Sequence, residues 1–398
     1  MVNAKYNFII IGAGIIGLSI ARRLKQSSPS SRILIIDKEP DVGAHSSGRN
    51  SGVLHGGFYY TADSLKARFT VEGNRALKEY CHAKGIPFNA CGKLVVAMDE
   101  KELEKLHELE RRGIRNGSNV RLIDAAQAKE MEPNVYTFKK ALYSPDTASL
   151  DPKEVLHALK GDLLKEGVQI MFSTAYRGHQ GNAVRTSQGD FEGGKIISCA
   201  GLYADKVAQD FGFGKKYTMI PFKGLYLKYA KNKTDVRMNI YPVPNLRNPF
   251  LGVHYTKTVD GTIKIGPTAI PAFWRENYTF REHFRLSEFA EIAFQEAKLF
   301  CTNSFGFRDL AFDEISKYNR EHFIRLATKM VPVDPQGFGE FTRPGIRAQL
   351  LDKTRLELVQ DFVIEADKNS VHVLNAISPA FTCAFPFAKF VCEKYICS

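Results

Sequence analysis

The chain has 398 residues, 44% hydrophobic and 25% charged. That is enough to bury a large core in about two domains, and it excludes a disordered or fibrous chain. The formal charge of +12 and pI near 9.2 invite a nucleic-acid reading. However, the lysines and arginines are scattered among acids and no nucleic-acid-binding motif accompanies them, so no nucleic-acid partner is expected. An anionic substrate or anionic membrane surface suits the charge, while most of these residues read as ordinary solvated surface. Seven cysteines without CxxC or zinc-ligand spacing point to a reducing compartment and no metal site. With the first strand starting at Tyr6 and no convincing membrane span, a cytoplasmic protein is expected, with peripheral contact at the inner face of a membrane as an option.

Tyr6–Ile11 is an apolar, β-branched run and reads as a buried strand. Gly12-Ala13-Gly14-Ile15-Ile16-Gly17 follows, then helical spacing over Leu18–Leu24. A second strand, Ile33–Ile36, ends on Asp37 and Lys38. In this context GxGxxG carries a mechanism. Gly12 permits the tight turn, Gly14 lets the backbone approach a pyrophosphate, and Gly17 lets the helix pack on the strand. Asp37 stands where an acid accepts hydrogen bonds from an adenosine ribose. The motif points to a dinucleotide and does not separate FAD from NAD.

A dense polar loop runs from His45 to Tyr60 and includes Ser46, Ser47, Asn50, Ser51, Gly52, Val53 and His55. Long loops of this density in compact domains are often functional. Helices are expected at Ser64–His82, Glu100–Arg112, Asp124–Met131 and Asp151–Glu166, the last with Asp151 as N-cap and Pro152 in the first turn. Strands are expected at Lys93–Met98, Val168–Phe172 and Lys195–Cys199. Ala200-Gly201 then leads into a helix over Tyr203–Phe211, a second strand–glycine–helix junction. From Lys215 the pattern suggests antiparallel strands at Leu225–Tyr229, Phe250–Tyr255 and Ile263–Gly266, with a hairpin signal at Asp260-Gly261. Helices over Glu282–Phe300 and Ile315–Lys329 follow. Strands at Leu356–Ile364 and Val371–Leu374 and a helix over Ala380–Tyr395 close the chain. The expected fold is mixed α/β: a Rossmann-like dinucleotide-binding domain from residues 1–90, 146–214 and 340–398, and an antiparallel-sheet substrate domain from 91–145 and 215–339.

Several blocks carry a resemblance. They include Gly48-Arg49-Asn50-Ser51-Gly52-Val53-Leu54-His55, Phe58-Tyr59-Tyr60, Ser64-Leu65-Lys66-Ala67, Cys91-Gly92-Lys93-Leu94 and Pro221-Phe222-Lys223-Gly224. Ile240-Tyr241-Pro242-Val243-Pro244, Phe250-Leu251-Gly252-Val253-His254, Gly345-Ile346-Arg347-Ala348-Gln349 and Asn375-Ala376-Ile377-Ser378-Pro379 complete them. In this order they resemble the FAD-dependent D-amino-acid oxidase-like superfamily, and within it the L-2-hydroxyglutarate dehydrogenase/oxidase family, over nearly the whole chain. The resemblance implies FAD as the dinucleotide and a 2-hydroxy dicarboxylate as substrate. Lys223 and Thr268 depart from the family pattern, where arginine and asparagine are usual.

Oxidising an α-hydroxy acid needs a hydride acceptor, a base for the hydroxyl proton and cations to hold the carboxylates. His55 and His254 are the two candidate bases, with nothing in the sequence to choose between them. Arg347 is the candidate carboxylate clamp, because a guanidinium grips a carboxylate with two hydrogen bonds. Lys223 is a candidate to bind the distal carboxylate or to lie near the flavin, and Tyr241, Tyr59 and Tyr60 are candidate hydrogen-bonding partners. Expected FAD contacts are Gly12, Gly14, Ile15, Ile16, Gly17, Asp37, Lys38, Ser46, Ser47, Asn50, Ser51, Gly52, Val53, Gly201 and Arg347. Ser378, Pro379 and Ala380 join them, since the N-terminus of the last helix would favour the charge of a reduced flavin. Each residue has a plainer competing role in packing, capping or surface solvation.

The expected activity is oxidation of L-2-hydroxyglutarate to 2-oxoglutarate, with electrons passed to a quinone, another carrier or oxygen. The alternatives are a related flavoenzyme for an amino acid, sarcosine or glycerol-3-phosphate, an FAD-binding protein without turnover, and, more weakly, an NAD dehydrogenase. The sequence leaves the oligomeric state open.

Overall fold

A computed structural model describes residues 5–232, 234–244, 250–280 and 282–397. Its centre is a sheet in which Tyr6–Ile11 lies between Gly189–Ser198 and Ile33–Ile36, all parallel. Gln169–Met171 extends one side, and Ser370–Asn375 pairs parallel with Gly189–Ser198 on the other. Parallel strands buried on both faces read as unbroken apolar runs, as Phe8–Ile11 and Ile33–Ile36 do. Helices Ile15–Ser27, Pro152–Lys165, Leu65–Lys84 and Ala380–Val391 pack into a common apolar core with this sheet. Two of them meet closely at Gly73, where a Cβ would lie 2.0 Å from the Thr382 carbonyl oxygen.

A second, eight-stranded sheet is mostly antiparallel and runs Phe338–Phe341, Leu227–Tyr229, Ile263–Gly266, His254–Lys257, Asn239–Pro242, Lys93–Val96, Lys140–Ser144, Arg121–Asp124. Its Asn239–Pro242 and Lys93–Val96 strands pair in parallel. Tyr217–Gly224 and Gly345–Asp352 pair antiparallel along their length in a four-stranded sheet. This sheet joins segments on both sides of the boundaries expected at 215 and 340. The buried pair Arg275–Asp205, at 2.7 Å and 2.9 Å, ties the segment after it to the helix that follows Gly201.

Several elements differ from the sequence expectation. Regular pairing near residue 250 begins only at His254, because Gly252 adopts φ +75° and turns the chain. The helix expected over Ile315–Lys329 is two, Phe307–Ser316 and Arg320–Thr328. Asn319 starts the second by accepting the His322 amide at 2.9 Å. The strand expected over Leu356–Ile364 is split into Glu357–Leu358 and Val363–Ala366. The helix at 282 begins at Leu286, and the last helix widens into a π turn over Cys392–Ile396. The Asp260-Gly261 turn joins His254–Lys257 to Ile263–Gly266, with Gly261 at φ +78°. No described helix is long and apolar enough to cross a membrane.

Candidate active site

One cavity of about 1460 Å³ runs from the first glycine turn to the second eight-stranded sheet and the four-stranded sheet. That exceeds the roughly 300–1,000 Å³ typical of a small-ligand pocket and leaves room for a dinucleotide together with a substrate. At one end, Gly12 adopts φ +109°, and a Cβ there would meet the Cys199 carbonyl oxygen at 2.4 Å. A Cβ on Gly17 would lie 2.0 Å from the Gly12 carbonyl oxygen, so Gly17 sets the helix against the turn and does not line the cavity. Gly14 caps the helix Ile15–Ser27, and a Cβ on it would sit 3.1 Å from Ser47 Oγ in the cavity wall. Ser47 Oγ accepts the Ile15 amide at 3.0 Å, joining the loop to the helix N-terminus.

Asp37 lines this end. Its Oδ2 accepts the Ala13 amide at 2.7 Å and its Oδ1 the Glu39 amide at 2.9 Å, so it braces the glycine turn as well as facing the cavity. Lys38 lies in an ion cluster, 2.8 Å from Glu276 and bonded to Glu39. His45 joins it, with Nε2 2.8 Å from Glu39 and Nδ1 2.7 Å from the Tyr278 hydroxyl. Glu39, His45 and Glu276 have metal-ligand proximity, but the Lys38 ammonium already supplies the cation there. The His45 and Lys38 bonds hold the Glu39 carboxyl down at about 2 despite partial burial.

The loop holds itself by backbone contacts. Asn50 Nδ2 donates to the Ser46 and Ser47 carbonyls at 3.1 Å and 2.8 Å, and Ser46 Oγ donates to the Ile346 carbonyl at 2.8 Å. Gly52 lies behind the wall at φ +74°, where a Cβ would meet the Leu150 carbonyl oxygen at 2.1 Å. Ile15, Ile16, Ser46, Ser47, Asn50, Ser51, Val53 and Gly201 line the cavity, as do Ser378, Pro379 and Ala380 at the start of the last helix. The glycine cradle, the helix N-terminus and the cavity size fit FAD.

At the far end stand His55, Tyr59, Tyr60, Tyr241, His254 and Arg347. His254 Nδ1 lies 2.9 Å from the Gly252 carbonyl oxygen. A carbonyl only accepts, so Nδ1 carries the proton and Nε2 keeps its lone pair. Burial, then the nearby Lys93 charge, pushes the His254 pKa down to about 3, leaving a neutral ring at pH 7. The His254 ring stacks on Tyr241 at 3.7 Å and 16°. His55 is also buried, and its Nδ1 has no hydrogen-bond partner among the described residues. Burial, followed by Lys93 and His254, holds its pKa well below the usual value.

Arg347 donates through Nε to Gln349 at 3.0 Å, and its guanidinium lies 5.1 Å from the Phe250 ring centroid. No carboxylate pairs with it among the described residues, and burial lowers its pKa to about 10. Lys223 is not among the residues that line the cavity, whereas its strand neighbours Phe222 and Gly224 are, and its side chain is buried.

Two buried lysines escaped sequence reasoning. Lys93 is 0% exposed, and its ammonium sits 3.8 Å from the Tyr241 ring centroid and 5.3 Å from that of Tyr59. Two groups that close to one centroid cannot share a face, so Lys93 and His254 sandwich the Tyr241 ring. Lys93 Nζ has no hydrogen-bond partner among the described residues, and burial pushes its pKa down to about 7. Lys66 lines the cavity from the inner face of helix Leu65–Lys84. Its signal was its spacing: Lys66, Phe69, Thr70, Gly73, Asn74 and Leu77 fall on one buried helical stripe.

The chain matches the FAD dependent oxidoreductase family over residues 7–394. It is 33% identical over 403 residues to the L-2-hydroxyglutarate dehydrogenase of Escherichia coli strain K12, covering 98% of this chain and 93% of that one. Against the protein of that name from Indibacter alkaliphilus it is 35% identical, with 98% of each chain covered. The mitochondrial L-2-hydroxyglutarate dehydrogenase of Mus musculus is 34% identical, with 96% and 87% covered. The fold is that of the FAD-bound L-alpha-glycerophosphate oxidase of Mycoplasma pneumoniae (TM-score 0.75, 22% identity, 97% of this chain and 93% of that one). It is shared with glycine oxidase from Geobacillus kaustophilus (TM-score 0.72, 15% identity, 98% and 94%). The chain therefore belongs to the FAD dependent oxidoreductase family and, within it, to the group of the L-2-hydroxyglutarate dehydrogenases.

Proposed function

We propose that the protein oxidises L-2-hydroxyglutarate to 2-oxoglutarate with FAD as cofactor, using Arg347 as carboxylate clamp and His254 as base. The observation that carries this reading is Arg347: a cavity-lining guanidinium with no carboxylate partner among the described residues, beside two neutral histidines. When bound, FAD supplies the acceptor at flavin N5 for the hydride that leaves C2. Arg347 holds the C1 carboxylate through its free terminal N–H groups, fixing C2 in the cavity. His254 is favoured over His55 because the Gly252 carbonyl fixes its tautomer and leaves Nε2 ready to take the hydroxyl proton. His55 and the Tyr241 hydroxyl stand by to orient the same hydroxyl. Gly12, Gly14, Asp37 and the Ser46–Val53 loop hold the dinucleotide.

The electron acceptor is a quinone or other carrier, or oxygen, and the +12 charge supports peripheral docking on an anionic membrane, where quinone is reached. We take residues 1–90, 146–214 and 340–398 as the FAD-binding unit and the rest as the substrate unit.

The test is anaerobic bleaching of the flavin by a panel of α-hydroxy and α-amino acids, sarcosine and glycerol-3-phosphate. Bleaching by L-2-hydroxyglutarate is expected. Bleaching by glycerol-3-phosphate or an amino acid alone would replace the reading, and a yellow protein that nothing reduces would mark a binding protein without turnover.

A further inference from the structure

We propose that Lys66 is the second carboxylate anchor of the cavity, and that Lys66 and Arg347 together select substrates with two carboxylates. The inference rests on the reading of the cavity as a 2-hydroxy-acid site and adds the residue that recognises the far end of the acid.

Lys66 is 5% exposed, and what its side chain shows is the cavity. Its ammonium lies 5.8 Å from the centroid of the Tyr60 ring, and it has no hydrogen bond or ion pair among the described residues. The groups facing it come from four elements. Tyr60 comes from the polar loop, Arg347 from strand Gly345–Asp352, Asp361 from the segment after Glu357–Leu358, and Cys383 from the last helix. Asp361 is the one acid among them, and its carboxylate is engaged by the amides of Leu65, Lys66 and Phe362 at 2.9, 3.2 and 2.8 Å. Burial and then the Arg347 charge push the Lys66 pKa down to about 7.

Two cations that repel each other inside one cavity, neither ion-paired, are an unfavourable arrangement unless a ligand supplies the missing charge. One carboxylate would compensate one of them. A dicarboxylate compensates both and leaves no buried charge unpaired, which is how a polar site discriminates most sharply. Lys223, a candidate for this role from the sequence, is not among the residues that line the cavity.

The experiment compares kcat/KM for L-2-hydroxyglutarate with that for L-2-hydroxyvalerate, which has the same carbon chain without the distal carboxylate. In Lys66→Gln the preference for the dicarboxylate falls about tenfold or more, mainly through KM, and Lys66→Arg recovers much of it. Lys223→Gln retains the preference. Calorimetry in buffers of different ionisation heat supplies a second readout with glutarate, an unreactive dicarboxylate. Its binding draws a proton onto Lys66 at about pH 7.5 in the wild type and not in Lys66→Gln. A folded, yellow Lys66→Gln that keeps the preference overturns the proposal. Should that variant not fold, the wild type decides, and glutarate binding without proton uptake overturns it. If no hydroxy dicarboxylate reduces the wild type, the functional reading fails separately, and glutarate-linked proton uptake still decides the role of Lys66.

Discussion

Lys93→Met should stabilise the protein at neutral pH, although it removes a contact. Lys93 is 0% exposed and its pKa is pushed down to about 7 by burial. In the unfolded chain the group titrates near 10.4, so below about pH 7 the folded state holds a charge that the unfolded state holds far more comfortably. The unfolded chain binds the proton more tightly, so this penalty is full below the folded pKa and fades as pH rises toward the unfolded one. At pH 7 it amounts to about 4 kcal/mol, and at pH 9.5 to about 1 kcal/mol. Against it stands the cation–π contact at 3.8 Å from the Tyr241 centroid, worth about 2 kcal/mol when desolvated. Methionine fills a similar volume and keeps a polarisable contact with the ring. The net expectation is a gain of about 2 kcal/mol at pH 7, or about 2 °C in a chain of this length, shrinking to nothing or reversing at pH 9.5. Thermal unfolding of the FAD-loaded variant and wild type at both pH values measures it. A variant that is less stable at pH 7, or a difference that does not move with pH, would refute the reasoning. The natural lysine is then best understood as retained for the field it casts on His55 and His254.

Two further outcomes follow from the same geometry. Arg347→Ala should raise the KM for L-2-hydroxyglutarate by about two orders of magnitude, since a hydrogen-bonded charge pair contributes about 2–3 kcal/mol, and steady-state kinetics separates this from a fall in kcat. His254→Ala should slow flavin reduction in stopped flow by about 10²–10⁴-fold, the range of general-base catalysis, with His55→Ala slowing it less. The reverse order would reassign the base.

Much of the nucleotide end was legible in the sequence because its signals are local. The Tyr6–Ile11 strand, the glycine spacing, the following helix and Asp37 lie within a few dozen residues, and each acts on its sequence neighbours. The substrate end was only half legible. His55, Tyr241, His254 and Arg347 could be nominated, but that they share one cavity depends on strands paired across long sequence separations. Tyr217–Gly224 and Gly345–Asp352 escaped detection because Pro221, Lys223 and Arg347 break the alternation that marks a strand. Lys223 was nominated and Lys66 overlooked for one reason. A residue's type says that it can bind a carboxylate, while the face it occupies is set by strand alternation in one case and helical period in the other.

The cavity is electrically polarised along its length, and this bears on how a histidine with so low a pKa serves as a base. At the nucleotide end, Asp37, Glu39 and Glu276 gather around Lys38. At the other end Lys66, Lys93 and Arg347 have no paired carboxylate among the described residues, and the pKa of each is lowered by burial. Burial and the Lys93 charge hold the His254 pKa at about 3. A bound dianion offsets the field of those cations and makes His254 a stronger base only once substrate is in place. The sign is definite: the base must be neutral, so rate falls as pH falls through its pKa. Because kcat/KM reports the free enzyme and kcat the complex, the acid limb of kcat should lie at higher pH than that of kcat/KM. Lys66 must be protonated to hold the distal carboxylate, so kcat/KM should also fall as pH rises above about 7. Lys93→Met raises the acid limb of kcat/KM by removing a cation that both histidines face. Coincident acid limbs for kcat and kcat/KM, unmoved in Lys93→Met, would mean that the buried lysines do not govern the base.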